Sequence, residues 1–226
     1  MSPSVHAEEL YEVSHVNPES RKVFDYLPYG PFNTYQEFLN FLNGPRIKGD
    51  NHTILFCIID IVSEKKIGIV GYLNTQPIHK KIEIGHIWII PSFQRTYANT
   101  ETNFLLLQYA FESLKYLRVT WKCHSNNINS RKSAERLGYK FEGTLRNHYL
   151  IKKVINGTEI IDKRNSDFLS IIDSEWEDIS HFIFISIDIV SDSSGKLLRS
   201  SSDKFGVGVS EGIEDALLLE NIVSRF

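Results

Sequence analysis

The sequence predicts a mixed α/β domain with a mostly antiparallel central sheet and helices on both faces. Three patterns carry that expectation. β-Branched apolar runs at 53–62 and 67–73 flank Ser63-Glu64-Lys65-Lys66, which reads as a hairpin. A third run, 81–90 (KIEIGHIWII), ends at Pro91. A helical stretch from Thr100 to Leu117 then leads to Arg118–Cys123 (RVTWKC), and strand–helix–strand order calls for one parallel crossover within a hairpin-built sheet.

The elements follow in order. Residues 6–14 (HAEELYEVS) and 34–43 (TYQEFLNFLN) have helical apolar spacing. Thr34 and Glu37 form a capping-box pattern, and Gly44-Pro45 stops the second helix. Between them, Tyr26–Phe32 is a turn-rich aromatic loop. The longest helix presents Phe104, Leu105, Leu107, Ala110, Phe111 and Leu114 on a broad apolar face. A short helix is expected over 127–137, terminated by Gly138. Strands are expected over 139–151, 154–162 and 167–172, the first pair turning near Val154–Gly157. After Trp176 the composition shifts: 180–190 (SHFIFISIDIV) reads as a strand, 191–206 is Ser-rich, and 211–224 reads as a weak amphipathic helix. We therefore divide the chain into a domain, 1–176, and an acidic Ser-rich extension of uncertain order, 177–226.

Composition excludes several classes of function. The chain has 226 residues, 42% hydrophobic and 12% aromatic, enough apolar surface to fold rather than stay disordered. Its longest apolar run, Ile54–Ile59, falls far short of the ~20 residues that cross a bilayer. The stretch MSPSVHAEELYEV lacks the basic and apolar regions of a secretion signal, so a cytoplasmic protein without a membrane partner is expected. Two cysteines, Cys57 and Cys123, make neither a disulfide framework nor a metal quartet. The eight histidines are scattered, and no metal is expected. Residues 177–226 hold nine acids and four bases, which leaves +2 of the formal −3 to residues 1–176. A near-neutral body without a basic block argues against a nucleic-acid partner. Oligomeric state is not legible.

The chemistry concentrates in 82–101, IEIGHIWIIPSFQRTYANTE, where a strand hands over through a short loop to a helix N-terminus. Such a junction offers unpaired backbone N–H groups and the helix dipole to a phosphate. Alternatively, Asn99 or Thr100 serves only as an N-cap and satisfies those donors internally. Gly85 interrupts otherwise bulky residues, which fits a bulge or a ligand lying against the backbone. The helix expected from 127 would bring Asn127 and Ser130 to the same sheet edge.

Taken together, Glu83-Ile84-Gly85, Pro91-x-x-Gln94, the helix with Leu105-Leu106-Leu107-x-Tyr109-Ala110-Phe111, and Asn127-x-x-Ser130 followed by Arg136-Leu137-Gly138-Tyr139 resemble the GNAT N-acetyltransferase superfamily. The branch most resembled is the ribosomal-protein N-terminal (Rim-type) acetyltransferases. The Tyr26–Phe32 loop, Glu142-Gly143-Thr144-Leu145-Arg146, Ser170-Ile171-Ile172 and Glu175-Trp176 extend the likeness over roughly residues 7–176.

The resemblance implies a GNAT-like fold, acetyl-CoA as acetyl donor, and direct transfer to a primary amine. The pyrophosphate loop would be Gln94, Arg95, Thr96, Tyr97, Ala98 and Asn99, leading into Thr100. Both glycine positions of the family pattern, Tyr97 and Asn99, carry side chains, so the loop must be helical and Tyr97 must point away. Ile87 and Ile89 match the positions that meet pantetheine, and as core isoleucines they would serve equally. Between Glu83 and Gln94 there is one residue more than in many relatives, which fits a bulge. Glu83 is the implied general base, its other reading being a surface carboxylate paired with Lys80-Lys81. His86 is the rival base, or a structural histidine.

Many relatives place an acid tyrosine where this chain has Ala134. The resemblance then implies that Ser130 donates to the leaving sulfur and that Asn127 holds the pantetheine amide. The other reading of Ser130 is a helix-start hydroxyl, with the thiolate leaving unassisted. Arg131 and Lys132 would meet phosphates or remain solvated. Tyr29, Arg146 and His148 are the candidates for the acceptor groove. The first strand of many relatives is lost here or replaced by Met1–Val5. The leading function is acetylation of an amine, a protein N-terminal α-amine first and a small-molecule amine second. A non-catalytic acetyl-CoA-binding or interaction module is the alternative from another class.

Overall fold

The computed structural model describes residues 1–45, 47, 52–155, 158–188 and 207–209. Helices α1 (Pro3–His15), α2 (Pro18–Arg21) and α3 (Tyr35–Asn43) precede strands β1 (Ile54–Asp60), β2 (Lys66–Gln76) and β3 (Lys81–Ile89). Then come α4 (Tyr97–Gln108), β4 (Arg118–His124), α5 (Ile128–Arg136), β5 (Lys140–Ile155), β6 (Thr158–Ile172), α6 (Asp173–Asp188) and β7 (Val207–Val209). The strands form one sheet in the order β5-β6-β4-β3-β2-β1-β7, antiparallel throughout except for the β3–β4 pair. That is the mixed, mostly antiparallel sheet expected, with its parallel crossover carried by α4.

Local chemistry sets the helix ends. Thr34 Oγ1 accepts the Glu37 amide at 3.2 Å, and Glu37 Oε2 reaches back to the Asn33 amide at 2.9 Å, so α3 starts where the capping box places it. Its Phe38 and Leu42 are buried. On one side of the sheet α1 packs on α3 and β2, and Phe24 lies 5.7 Å from the Trp88 ring. On the other, α4 packs on α6, and the Tyr72 hydroxyl donates to the Leu106 carbonyl. One hydrophobic core runs through both layers, from Leu10 and Phe38 to Trp121 and Trp176.

Four expectations are corrected. The long helix starts at Tyr97, not Thr100, because Thr96 caps it; beyond Gln108 it widens into a π turn, Tyr109–Ser113. The strands expected at 154–162 and 167–172 are one strand, β6. Residues 180–188 continue a helix rather than form a strand. The alternation FIFIS mimicked a strand, but Trp176, Ile179 and Ile183 recur at helical spacing and pack on the core. Finally, Met1–Val5 is no replacement strand: Pro3 opens α1, and the strand beside β1 is β7. The Ser-rich stretch 191–206, the helix reading at 211–224 and residues 156–157 of the expected turn lie outside the described residues.

Candidate active site

The parallel ladder between β3 and β4 runs only from Lys81↔Arg118 to Ile84↔Trp121. Beyond it β3 continues to Ile89 and β4 to His124 without pairing to each other. The cause is a bulge. Against β2, Gly71 faces Gly85 and Ile69 faces Trp88, so His86 and Ile87 together oppose Val70. His86 takes up the extra residue in a left-handed conformation, φ 53°. A side chain at Gly85 would meet Leu73 Cδ1 at 2.6 Å, so the leucine tip would have to move aside. The Ile90 amide donates to the Ile67 carbonyl at 2.9 Å, so alternation along the strand turns the Ile89 and Ile87 amides toward the gap. The Ile89 carbonyl is met by Gln94 Nε2 at 2.8 Å.

The N-terminus of α4 stands at the open end of this gap. Arg95 is left-handed, φ 61°, and exposed. Thr96 Oγ1 donates to the Phe93 carbonyl at 2.7 Å and accepts the Ala98 amide at 3.2 Å. Thr96 is therefore the cap, in place of Asn99 or Thr100, and Tyr97, Ala98 and Asn99 already form the first turn. The Tyr97 hydroxyl donates to Asp60 Oδ1 on β1 at 2.7 Å, which carries its ring away from the loop. Asn99 Nδ2 donates to Ser133 Oγ at 2.9 Å, and Thr100 Oγ1 accepts from Arg136 Nη1 at 3.0 Å. The side chains of Asn99 and Thr100 are thus committed to α5, and what this turn offers an anion is main-chain N–H and the Arg95 guanidinium.

Glu83 is buried, 6% exposed, on the paired part of β3. Its Oε2 accepts from Asn74 Nδ2 at 2.7 Å and from Lys122 Nζ at 3.0 Å. The reading as a surface carboxylate beside Lys80-Lys81 gives way to this buried pair. Asn127 caps α5, its Oδ1 accepting the Ser130 amide at 3.1 Å. Ser130 Oγ accepts from the Trp121 indole at 3.1 Å. It neighbours the Cys123 thiol, which burial pushes up to about 11.

Arg131 is engaged within the fold. Its Nε pairs with Glu135 at 3.0 Å, its Nη1 with Asp167 at 3.3 Å, and its guanidinium lies 3.9 Å over the Phe141 ring. It clamps α5 to the β5–β6 hairpin. Lys132 is exposed, and Ala134 is buried with no hydroxyl to offer.

On the acceptor side, Tyr29 is half-buried, stacked 4.3 Å from Phe41 and 5.0 Å from the His86 ring; burial raises its phenol pKa. Arg146 and His148 lie on a second bulge, where Leu145 faces Ser166 and Tyr149 faces Arg164. An open hollow of about 910 Å³ there is lined by Thr144, Leu145, Arg146, Asn147, His148 and Asn165. Burial, then Lys122 and Arg164, hold His148 below its ordinary pKa, and its Nδ1 is buried without a hydrogen-bond partner. The sequence reading missed Asn74, Lys122, Tyr149 and Arg164. Lys122 was within reach of it: a parallel pair that sets Glu83 beside Thr120 puts Lys122 on the same face. Among the described residues no group of His, Cys, Asp and Glu could hold a metal ion, and no helix is long and apolar enough to cross a membrane.

Comparison with known proteins fits this geometry. The description "Acetyltransferase (GNAT) domain" matches residues 1–140. The chain belongs to the GNAT acetyltransferase family. Its relatives include the Bacillus subtilis (strain 168) protein named "Putative ribosomal N-acetyltransferase YdaF", 30% identical over 49% of this chain. The match spans 55% of that protein, so the chain covers about half the length of this curated relative. A GCN5-related N-acetyltransferase from Brucella melitensis is 32% identical, with a TM-score of 0.74 over 88% of this chain and 86% of its own. The spermidine N-acetyltransferase of Vibrio cholerae, solved with CoA and spermine, shares the fold at 20% identity and a TM-score of 0.58, over 76% of this chain and 92% of its own. In the GNAT fold of this chain, the gap between β3 and β4 and the first turn of α4 lie side by side.

Proposed function

We propose that this GNAT chain is an acetyl-CoA-dependent N-acetyltransferase that acts by direct transfer on a primary amine, a protein N-terminal α-amine first. The observation that carries the reading is the parting of β3 from β4 after Ile84 and Trp121, next to the capped start of α4. The residues present fit the donor: a strand edge with amides turned outward for pantetheine, and first-turn amides with Arg95 for the diphosphate. Ile87, Ile89, Gln94, Arg95, Thr96, Ala98 and Asn127 are the residues that would hold it. Acetyl-CoA supplies an acyl group already activated as a thioester.

The chain's own part is proton handling and placement. Glu83 takes the proton of the acceptor amine, directly or through water. Lys122 and Asn74 fix its carboxylate by bonding Oε2, and Oε1 is left for the acceptor. Ser130, whose oxygen accepts from Trp121 and whose side chain also bonds Cys123, turns its proton to the leaving sulfur as the acid. Tyr29, Arg146 and His148 border the acceptor side. The name of the Bacillus subtilis relative supports a ribosomal-protein acceptor.

The test is thiol release from acetyl-CoA with a panel of peptides and polyamines. The reading expects turnover that Glu83→Gln lowers by about 10²–10³-fold, and a rise in Tm when CoA is added. CoA binding without turnover, untouched by Glu83→Gln, would leave a binding module instead. No thermal response to CoA would end the proposal.

A further inference from the structure

The polar cluster beyond the β3–β4 parting is unbalanced in charge. Lys122 Nζ stands 5.7 Å and the Arg164 guanidinium 5.8 Å from the centre of the Tyr149 ring, with the His148 ring 3.9 Å from it. Glu83 is the carboxylate bonded into this cluster, through Lys122. Arg164 is 7% exposed; its Nε donates to Ser166 Oγ at 3.1 Å, and among the described residues no carboxylate lies within ion-pair distance of it. A guanidinium buried without a counter-ion is costly, because its desolvation is not offset by an opposite charge. Burial accordingly lowers its pKa. Arg has a planar fork that suits a bidentate carboxylate.

We propose that Arg164, assisted by Lys122, receives a carboxylate of the acceptor. The acetylated amine then belongs to a molecule that carries an acidic group close to it, either a free α-amino acid or a polypeptide N-terminus with Asp or Glu among its first residues. The inference rests on the transferase reading above. In the reaction the amine nitrogen bonds to the acetyl carbon, the carbon–sulfur bond breaks, and the proton lost from nitrogen passes by way of Glu83 while the thiolate gains one. A site with two cations to one carboxylate also disfavours a polycation, since each added ammonium meets uncompensated like charge. That separates this chain from the spermidine-acetylating neighbour with which it shares a fold.

The experiment compares matched acceptors on the intact protein: an Ala-Asp peptide against Ala-Asn and Ala-Lys, free alanine against alaninamide, and spermidine. We expect kcat/KM for at least one carboxylate-bearing acceptor to exceed its neutral counterpart by about tenfold or more, mostly in KM, with the preference shrinking at high salt. Preference for the free amino acid or for the acidic peptide tells the two sources apart. Arg164→Gln should abolish the ratio and leave the KM for acetyl-CoA unchanged, and Arg164→Lys should restore part of it. Equal turnover of acidic, neutral and basic acceptors, or a preference for spermidine, overturns the inference while the transferase reading stands; this holds on the wild-type protein even if the variants fail to fold. Thiol release with none of the acceptors and no response to CoA counts against both.

Discussion

The hydroxyl of Tyr97 is bonded to the Asp60 carboxylate across 2.7 Å, joining the first turn of α4 to the end of β1. An aromatic ring at a position where the family pattern has glycine would otherwise fill the space above the helix start. Asp60 is well placed as the anchor. Burial alone would raise its pKa, but bonds from Ser63 and Tyr97 outweigh that and hold the carboxyl below its ordinary value.

Tyr97→Phe should therefore cost about 1 kcal/mol of stability through the lost hydrogen bond. It should also weaken CoA binding several-fold as the ring is released. Denaturant melts and CoA titration of the same variant read the two effects separately.

The Glu83–Lys122 pair gives a sharper outcome. Glu83 is buried and Lys122 nearly so, their side chains 8% and 12% exposed, so removing one partner strands the other's charge. Lys122→Met is expected to destabilise by roughly 3 kcal/mol, and the double variant Glu83→Gln/Lys122→Met by clearly less. Urea midpoints for the full double-mutant cycle check this. Additive losses would mean that the two groups do not interact.

Much of this arrangement is legible in the amino-acid sequence. Apolar periodicity places α3, the β1–β2 hairpin, β3 and the crossover, and the Thr34–Glu37 spacing locates a helix start to the residue. Gly85 points to the bulge. What the pattern does not supply is tertiary in origin. Thr96 is the cap because its hydroxyl finds the Phe93 carbonyl and the Ala98 amide, a choice that no local propensity separates from Asn99 or Thr100. Arg131 reads as a phosphate ligand in the sequence because its partners, Asp167 and the Phe141 ring, are distant along the chain. The apolar run at 180–188 satisfies a strand pattern and a helix pattern alike, and only packing against α4 decides it.

His15 predicts a pH effect that belongs to the fold rather than the site. It is buried among Tyr11, Phe24, Phe32 and Phe38, with Nε2 lacking a partner. Burial first, and Arg21 second, lower its pKa from 6.5 to about 4. The unfolded chain therefore takes up the proton first, so the contribution of neutral His15 is complete above pH 6.5 and is lost as pH falls toward 4. The loss is on the order of 3 kcal/mol. His15→Phe should flatten the stability profile in this window; carboxylates such as Glu142, held low by Arg118, act at more acidic pH in both proteins.

Gly68 on β2 lies opposite Ile89 on β3. A Cβ there would stand 2.1 Å from the Trp88 carbonyl oxygen, a backbone atom that cannot rotate aside. Gly68→Ala should cost about 2–3 kcal/mol, and because the clash falls on the strand that carries the bulge, CoA affinity should drop with it. A variant with normal Tm and normal CoA response would contradict this placement.

The short strand β7 has a consequence for handling the protein. By pairing Val207–Val209 with Ile58–Asp60 it occupies hydrogen-bonding groups that β1 would otherwise offer sideways to any passing chain. Removing everything after Asp188 bares that flank beside the exposed Ile61 and Val62. Shortened versions are thus expected to self-associate through strand addition, a tendency that light scattering would register.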